Sequence, residues 1–352
     1  MTPKAHRHAG FEPISCILPP HILRSIVERG SPQQRRWALQ AIAISERMRG
    51  RRELLGDIAT ASAIAAPAKQ RTVYDAGKGS KLPGALVRSE GDPPVSDPAV
   101  NEAYDGAGAT YDLYRDVYDR NSIDDRGMAL VSSVHYRVGY DNAFWDGSQM
   151  VYGDGDGKIF QRFTKAVDVI GHELTHGVTQ YEAALEYSDQ PGALNESFSD
   201  VFGSLVKQRA LGQTAAEADW LIGAGLFTAA VNGKALRSMA APGTAYDDKV
   251  IGKDPQPADM AHYQDTTDDN GGVHINSGIP NRAFYLAATA IGGSAWEKAG
   301  MVWYVTLRDR LRPRAQFKDA ADATVAAAKE LFGARGAVAK AVADAWAKVG
   351  VL

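Results

Sequence analysis

The stretch DVIGHELTHGVTQ, residues 168 to 180, sets His172 and His176 four residues apart with Glu173 directly after the first. On an α-helix, residues i and i+4 lie one turn apart on the same face, so the two imidazoles can reach one ion. Glu173 is turned about 100° from His172. Its carboxylate can therefore stand beside an open coordination position without occupying it, where a water-activating base belongs. The alternative is a solvated helix whose histidines make unrelated hydrogen bonds. A bare HExxH match does not separate the two readings, because a catalytic zinc usually takes three protein ligands and keeps the fourth position for water.

A candidate third ligand follows in GALNESFSDVFGSLV, residues 192 to 206, where Glu196 and Asp200 are again four apart on an apolar-periodic run. Glu196 would complete the set. Asp200, one turn on, can accept a hydrogen bond from the free ring nitrogen of His172, and Asn195 can do the same for His176, which fixes the tautomers of ligating histidines. Acidic residues also suit the start of any helix through its dipole, but their place downstream of HExxH favours the metal reading.

Further stretches lie in a definite order: NAFWDGSQMVYGDGDG from Asn142, LRSM from Leu236, and DNGGVHINSGIPNRAFYLAA from Asp269. With HExxH and Glu196 they resemble the thermolysin-like zinc metallopeptidases over about Arg71 to Leu352. A short N-terminal segment carrying Pro19 and Pro20 resembles the protealysin-like branch of that family. The resemblance implies an α+β fold of two lobes, a β-rich N-terminal lobe and an α-helical C-terminal lobe, with the HExxH helix between them. It implies zinc held by His172, His176 and Glu196, with Glu173 as general base taking the proton of a zinc-activated water. Tyr187 and His274 would donate to the developing oxyanion, Asp269 orienting the imidazole. Asn142 and the backbone of Ala143 would pair with an extended substrate, and Arg237 would bind the carbonyl beyond the cut. Phe160, Phe163, Val169, Ile222, Leu226 and Leu236 would line an apolar pocket for the residue after the cut. Viewed alone, His274 reads as a turn or core histidine and Arg237 as half of a surface ion pair. In one respect the chain departs from the family. Of the carboxylates of the double calcium site Asp168 and Asp219 are present, but Lys207 and Ala224 fill two expected acidic positions, so zinc without that calcium pair is expected.

Bulk properties agree with an ordinary globular enzyme. Apolar residues make up 45% and charged residues 23%, and the net charge of −3 gives no basic field for nucleic acid. Peptides and proteins are the expected partners, together with the chain's own N-terminal segment; neither nucleic acid nor a membrane is. The one cysteine, Cys16, excludes an intrachain disulfide. ISCILPPHIL is too short and too broken by proline for a signal peptide, so the chain is expected to be cytoplasmic at synthesis, with a leaderless export route left open.

Along the chain, residues 1–10 read as a disordered tail and 11–56 as a prosegment, with an extended, proline-stiffened run before a helix capped by Ser31 and Pro32 and stopped by Gly50. Residues 57–70 read as a linker, 71–185 as the β-rich lobe ending in the HExxH helix, and 186–352 as the helical lobe. The first 56 residues hold 10 Lys and Arg against 4 Asp and Glu, leaving 29 against 38 in the remainder. That asymmetry favours docking of the prosegment on the catalytic body. Within it, the Cys16 thiolate can take a zinc's open position, or Cys16 simply packs beside Ile17. A silent peptide-binding protein and a different HExxH hydrolase are the competing functions. The first conflicts with a complete set of ligands, base and donors, the second with the Glu196 segment and the His274 motif.

Overall fold

The computed structural model describes residues 16–55 and 68–352. The expected tail at 1–10 and most of the linker at 57–70 lie outside the described residues. Two helices come first, α1 (Pro20–Arg29) and α2 (Pro32–Leu55). α1 begins inside the run expected to be extended and stiffened by Pro19 and Pro20. Proline is favourable at the first helical position, where its missing N–H costs nothing, and Ile22, Leu23 and Ile26 then form one buried stripe. Ser31 opens α2 as expected: its backbone N–H donates to Gln34 Oε1 and its hydroxyl accepts from the Gln34 N–H. Gly50 does not stop α2. One glycine in a helix costs about 1 kcal/mol, and the good helix formers after it carry the helix to Leu55.

The sheet that follows contains β1 (Arg71–Asp75), β2 (Ala85–Ser89), β3 (Leu130–Val134), β4 (Ala143–Trp145) and β5 (Met150–Tyr152), in the order β2-β1-β3-β5-β4. β1, β3 and β5 run parallel, while β2 and β4 are antiparallel edges. Between β2 and β3 the β-rich expectation fails, for residues Pro98–Tyr118 form a long helix, α3. Its many tyrosines favour strands in isolation. Val100, Ala103, Tyr104, Ala107, Tyr111, Tyr114 and Tyr118 recur at helical spacing, and the Asp97 carboxylate caps the start by accepting from the Ala99 N–H at 2.9 Å.

The core of the molecule is the crossing of α4 (Val167–Tyr181) with α5 (Asp189–Leu211). Each helix contributes a glycine at the crossing. A Cβ on Gly203 would stand 2.3 Å from the Asp168 carbonyl oxygen, and one on Gly171 would stand 3.0 Å from Gly203 Cα. Any larger residue would push α5, and with it Glu196, away from α4. Beyond α5 the chain is less helical than expected: residues 212–258 hold two short antiparallel pairs, β6 (Leu221–Ile222) with β7 (Arg237–Ser238) and β8 (Asp247–Asp248) with β9 (Gly252–Lys253). Helices α6 (Asp269–Asn276), α7 (Gly278–Ile291), α8 (Lys298–Asp309), α9 (Phe317–Phe332) and α10 (Ala337–Lys348) complete the fold. The last two are Ala-rich and are closed by Trp346, which stacks on Trp303 and donates to Thr324. Among the described residues no helix is long and apolar enough to cross a membrane.

A charged knot ties α3 to the sheet. His135 lies between Asp154 (2.7 Å) and Asp97 (2.7 Å). The hydrogen bond to Asp154 outweighs burial, and with Asp97 it raises the His135 pKa from 6.5 to about 9. A raised pKa stabilises the fold fully below the unfolded value, and that contribution is lost as pH rises through the folded one. Thermal stability is therefore expected to fall between pH 6.5 and about 9, with the fall much reduced in His135→Gln. Melting curves of both proteins across that range provide the check; equal slopes would refute it.

Candidate active site

α4 carries His172 and His176 on one wholly buried face, and α5 brings Glu196 against them. The His172 Nδ1–H donates to Asp200 at 2.8 Å and the His176 Nδ1–H to Asn195 Oδ1 at 2.8 Å, with Ser199 Oγ 3.0 Å from the same nitrogen. These acceptors fix both tautomers with bare lone pairs on Nε2. The two Nε2 atoms nevertheless face each other at 2.9 Å, and Glu196 oxygens stand 3.5 Å and 3.4 Å from them. One Glu196 oxygen has no hydrogen-bond partner. Converging lone pairs and a carboxylate oxygen in a buried place call for a cation between them. Nitrogens bonded to a tetrahedral zinc at about 2.0–2.1 Å lie about 3.3 Å apart, so the donor set fits zinc. Among the described residues it is the one group of three or more such side chains able to hold a metal.

Glu173, one residue after His172, is also wholly buried and accepts from the Trp145 N–H at 3.1 Å. Burial, followed by the charge of Glu196, pushes its pKa well above the carboxylate range; a cation held nearby would act in the opposite direction. Opposite it stand Tyr187 and His274, with Tyr187 Oη 3.3 Å from His274 Nε2 and also donating to Glu196. Burial, reinforced by Glu196, keeps Tyr187 a phenol. Asp269 accepts from both the His274 backbone N–H (2.9 Å) and Nδ1–H (2.7 Å). It can do so because residues 269 to 272 are all left-handed, which needs Gly271 and Gly272; a Cβ on Gly271 would stand 2.2 Å from Asp189 Oδ1. Burial disfavours the imidazolium, but Asp269 and then Glu196 outweigh it and raise the His274 pKa to about 9. His274 thus donates through both nitrogens near neutral pH.

Asp200 links this cluster to the cleft wall. Besides His172 it accepts two bonds from Arg237, at 2.8 and 2.7 Å, and one from Asn281 Nδ2 at 2.8 Å. Burial opposes its ionisation, but Arg237 and His172 hold it well below the usual carboxylate range.

The N-terminal segment runs through the cleft. Cys16 forms an antiparallel bridge with Phe144 at the outer edge of β4. The Ile17 N–H donates to the Ala143 carbonyl at 3.4 Å, and the Leu18 N–H to Asn142 Oδ1 at 3.1 Å. Arg237 Nη1 donates to the Ile17 carbonyl at 3.0 Å, and His274 Nε2 donates to the Cys16 carbonyl at 3.0 Å. The Cys16 thiol instead faces Ser45 Oγ at 3.6 Å and is not part of the converging donor set. Phe160, Phe163, Val169, Ile222, Leu226 and Leu236 are all buried, as is Ile17. Phe160 and Phe163 are 5.7 Å apart, Ile222 pairs with Arg237, and Leu226 and Leu236 flank Gly223. Further out, Lys207 Nζ sits between Asp168 (2.9 Å) and Asp219 (2.8 Å) and donates to the Leu221 carbonyl.

A sheet and a helical body joined at an HExxH helix, with a carboxylate delivered from the next helix, define a thermolysin-like metallopeptidase. Matches to known proteins agree: the thermolysin metallopeptidase catalytic domain matches residues 62–180, and the thermolysin metallopeptidase alpha-helical domain matches residues 183–351. An extracellular metalloprotease of Pectobacterium carotovorum subsp. carotovorum is 50% identical, over 96% of this chain and 97% of its own. A thermolysin of Alicyclobacillus acidocaldarius is 41% identical over 79% of this chain and 50% of its own length. The solved precursor of protealysin, a metalloproteinase from Serratia proteamaculans, superposes with a TM-score of 0.88 at 53% identity, covering 96% of this chain and all of that one. The chain belongs to the protealysin-like branch of the thermolysin family and is a zinc metalloendopeptidase.

His172, His176, Asn195, Glu196, Asp200, Tyr187, Arg237, His274 and Asp269 fall in one connected cluster. Three participants were not singled out. Ser199 lies one helical turn beyond Asn195, a spacing that signals a shared partner. Asn281 lies inside the motif running from Asp269. Trp145 contributes only its backbone N–H to Glu173, for which side-chain chemistry gives no signal.

His21, at the start of α1, accepts from or donates to Tyr246 Oη at 2.7 Å, while its Nδ1 has no partner. Burial lowers its pKa from 6.5 to about 4; Asp269 opposes this, whereas His274, Arg237 and Arg24 add to it. A depressed pKa stabilises docking above 6.5, and that stabilisation is lost as pH falls through 6.5 toward 4. Amide exchange in α1 is expected to accelerate on acidification through that range, and less so in His21→Gln. An identical acid response in the two proteins would count against it.

Proposed function

We propose that this chain is a latent neutral endopeptidase that cuts on the N-terminal side of bulky apolar residues, with residues 11–56 as the prosegment that closes its cleft. The observation that carries the reading is the buried Ile17, held by Ala143 on one side and Arg237 on the other. A prosegment so bound competes directly with an extended substrate for the edge of β4.

In this reading His172, His176 and Glu196 hold the zinc, their tautomers and orientation set by Asp200 and Asn195. Bound zinc supplies Lewis-acid polarisation of a carbonyl and lowers the pKa of water. Glu173 takes a proton at its carboxylate and delivers it to the leaving nitrogen. His274 and Tyr187 donate to the oxygen on which charge develops, and Asp269 keeps the His274 ring charged and aimed. Asn142, Ala143 and Arg237 hold the substrate backbone. The six apolar side chains from Phe160 to Leu236 receive the residue after the cut, whose burial contributes about 1.5–3 kcal/mol.

Replacing Glu173 by Gln is expected to keep zinc and lower turnover by several orders of magnitude, since the base acts in the transition state. Zinc content and kcat of the two proteins test this, and near wild-type turnover would place the base elsewhere. A mixed peptide library cut by the mature form is expected to show Leu, Phe, Ile or Val after the cut; a preference for Lys or Asp would contradict the pocket.

Lys207 supports the absence of the calcium pair. Its ammonium neutralises Asp168 and Asp219 in place, and Ala224 offers no carboxylate. A calcium chelator that spares zinc is expected to leave the melting temperature nearly unchanged, whereas Lys207→Met, which leaves Asp168 buried and unpaired, is expected to cost about 3 kcal/mol. A large loss on calcium removal from the wild type would overturn this.

A further inference from the structure

The Cys16–Ile17 segment does more than cover the cleft. Each backbone group on either side of that peptide bond meets the group a bond about to be cut would need. The Cys16 carbonyl oxygen accepts from His274 Nε2 at 3.0 Å, the same imidazole that has Tyr187 Oη 3.3 Å away. The Ile17 nitrogen donates to Ala143 O at 3.4 Å and lies within hydrogen-bonding reach of the Glu173 carboxylate. Ile17 O is held by Arg237 at 3.0 Å, and Leu18 N by Asn142 at 3.1 Å. The chain direction, antiparallel to β4, follows from the Cys16–Phe144 bridge. A cavity of about 200 Å³ is bordered by Cys16, Leu18, Arg24, Ser45, Asp268 and His274 and has room for several waters.

We infer that the Cys16–Ile17 peptide bond stands in the scissile position of the chain's own active site, so that the precursor clips itself there in cis and stays latent after the clip. The inference rests on the peptidase reading above. One water is consumed: its oxygen adds to the Cys16 carbonyl carbon, the bond to the Ile17 nitrogen breaks, and both water protons pass through Glu173 to that nitrogen, the second one leaving the new carboxyl group. The products are a Cys16 α-carboxylate and an Ile17 α-ammonium. Residues 1–16 then lose their covalent tie to the body. Ile17 does not, and contacts after the cut keep it in place: Leu18 on Asn142, His21 on Tyr246 (2.7 Å), Ser25 on Val250 O (2.8 Å) and the buried stripe of α1. The new ammonium beside the Glu173 carboxylate adds a charge-assisted contact that the amide lacked. Clipping and activation are therefore separate events, and activation needs loss of the docked helices.

The test is intact-mass and N-terminal analysis of the full zinc-loaded chain over time, beside Glu173→Gln and beside cleavage of an added peptide by the mature form. The expected result is a new N-terminus at Ile17 that forms at a rate independent of protein concentration, is absent in Glu173→Gln, and brings no gain in activity on the added peptide. Independently of turnover, the Ile17 and Leu18 amides of uncleaved Glu173→Gln should exchange at least 100-fold more slowly than those of an unstructured peptide (a ratio of this order is about 2.7 kcal/mol of protection). If the mature form cuts the added peptide but no Ile17 terminus appears, or the Ile17 terminus appears only in proportion to protein concentration, the inference falls and the peptidase reading stands. If the clipped chain becomes active, its latency claim falls. Failure to cut any peptide would sink the peptidase reading itself.

Discussion

One buried carboxylate organises the active site. Asp200 accepts from the His172 imidazole, from two guanidinium nitrogens of Arg237 and from Asn281. In a place without water, an arginine charge is tolerable only with a partner of opposite charge in good geometry, and removing that partner would leave Arg237 uncompensated. Asp200 therefore does two things with the same charge. It fixes the tautomer and orientation of a metal-facing histidine, and it holds Arg237 so that its remaining nitrogen points across the cleft at a backbone carbonyl. The arrangement requires α5 to lie almost in contact with α4. The Gly171–Gly203 crossing makes that possible, so the close packing of these two helices and the chemistry they carry share one cause.

Because backbone recognition is independent of side chains, the same donors and acceptors that suit an extended peptide also suit residues 16–18. The edge strand β4 supplies a carbonyl acceptor, Asn142 a side-chain acceptor, and Arg237 and His274 donors, so a segment tethered nearby finds a ready template. The described charges of the segment add little to its hold. Among the described residues, the ion pair between the segment and the body is Arg24 with Asp268, and both partners are more than half exposed. Such pairs contribute little to stability; the opposite net charges act on encounter more than on hold. The buried stripe of α1 and the backbone bonds along β4 do the holding.

Lys207 shows how a charged cluster can be satisfied without a bound ion. Its ammonium reaches Asp168 at the start of α4 and Asp219 just before β6, and also the Leu221 carbonyl within β6. Burial opposes the charge, but the two carboxylates keep Lys207 protonated. A covalently attached cation thus ties the metal-bearing helix to the strand pair that carries Arg237.

Much of this site was legible in the sequence wherever its geometry is local. The i, i+4 spacing of His172 with His176, and of Glu196 with Asp200, sets direction on a helix whatever the rest of the chain does, and Ser31 with Pro32 opens α2 for the same reason. Local signals misled where packing overrides propensity. The tyrosines of α3 look like strand residues until a buried face on one side of a helix claims them, Pro20 begins a helix because its stripe has a body to lie on, and Gly50 is carried by its neighbours. Nothing in the sequence announced that Trp145 would offer its backbone N–H to Glu173, that Asn281 would complete Asp200, or that the Cys16 carbonyl and not its thiol would enter the site. Those contacts join residues as far apart as 258 positions. Local spacing determines which side chains share a face, whereas which faces meet is decided only when the whole chain has packed.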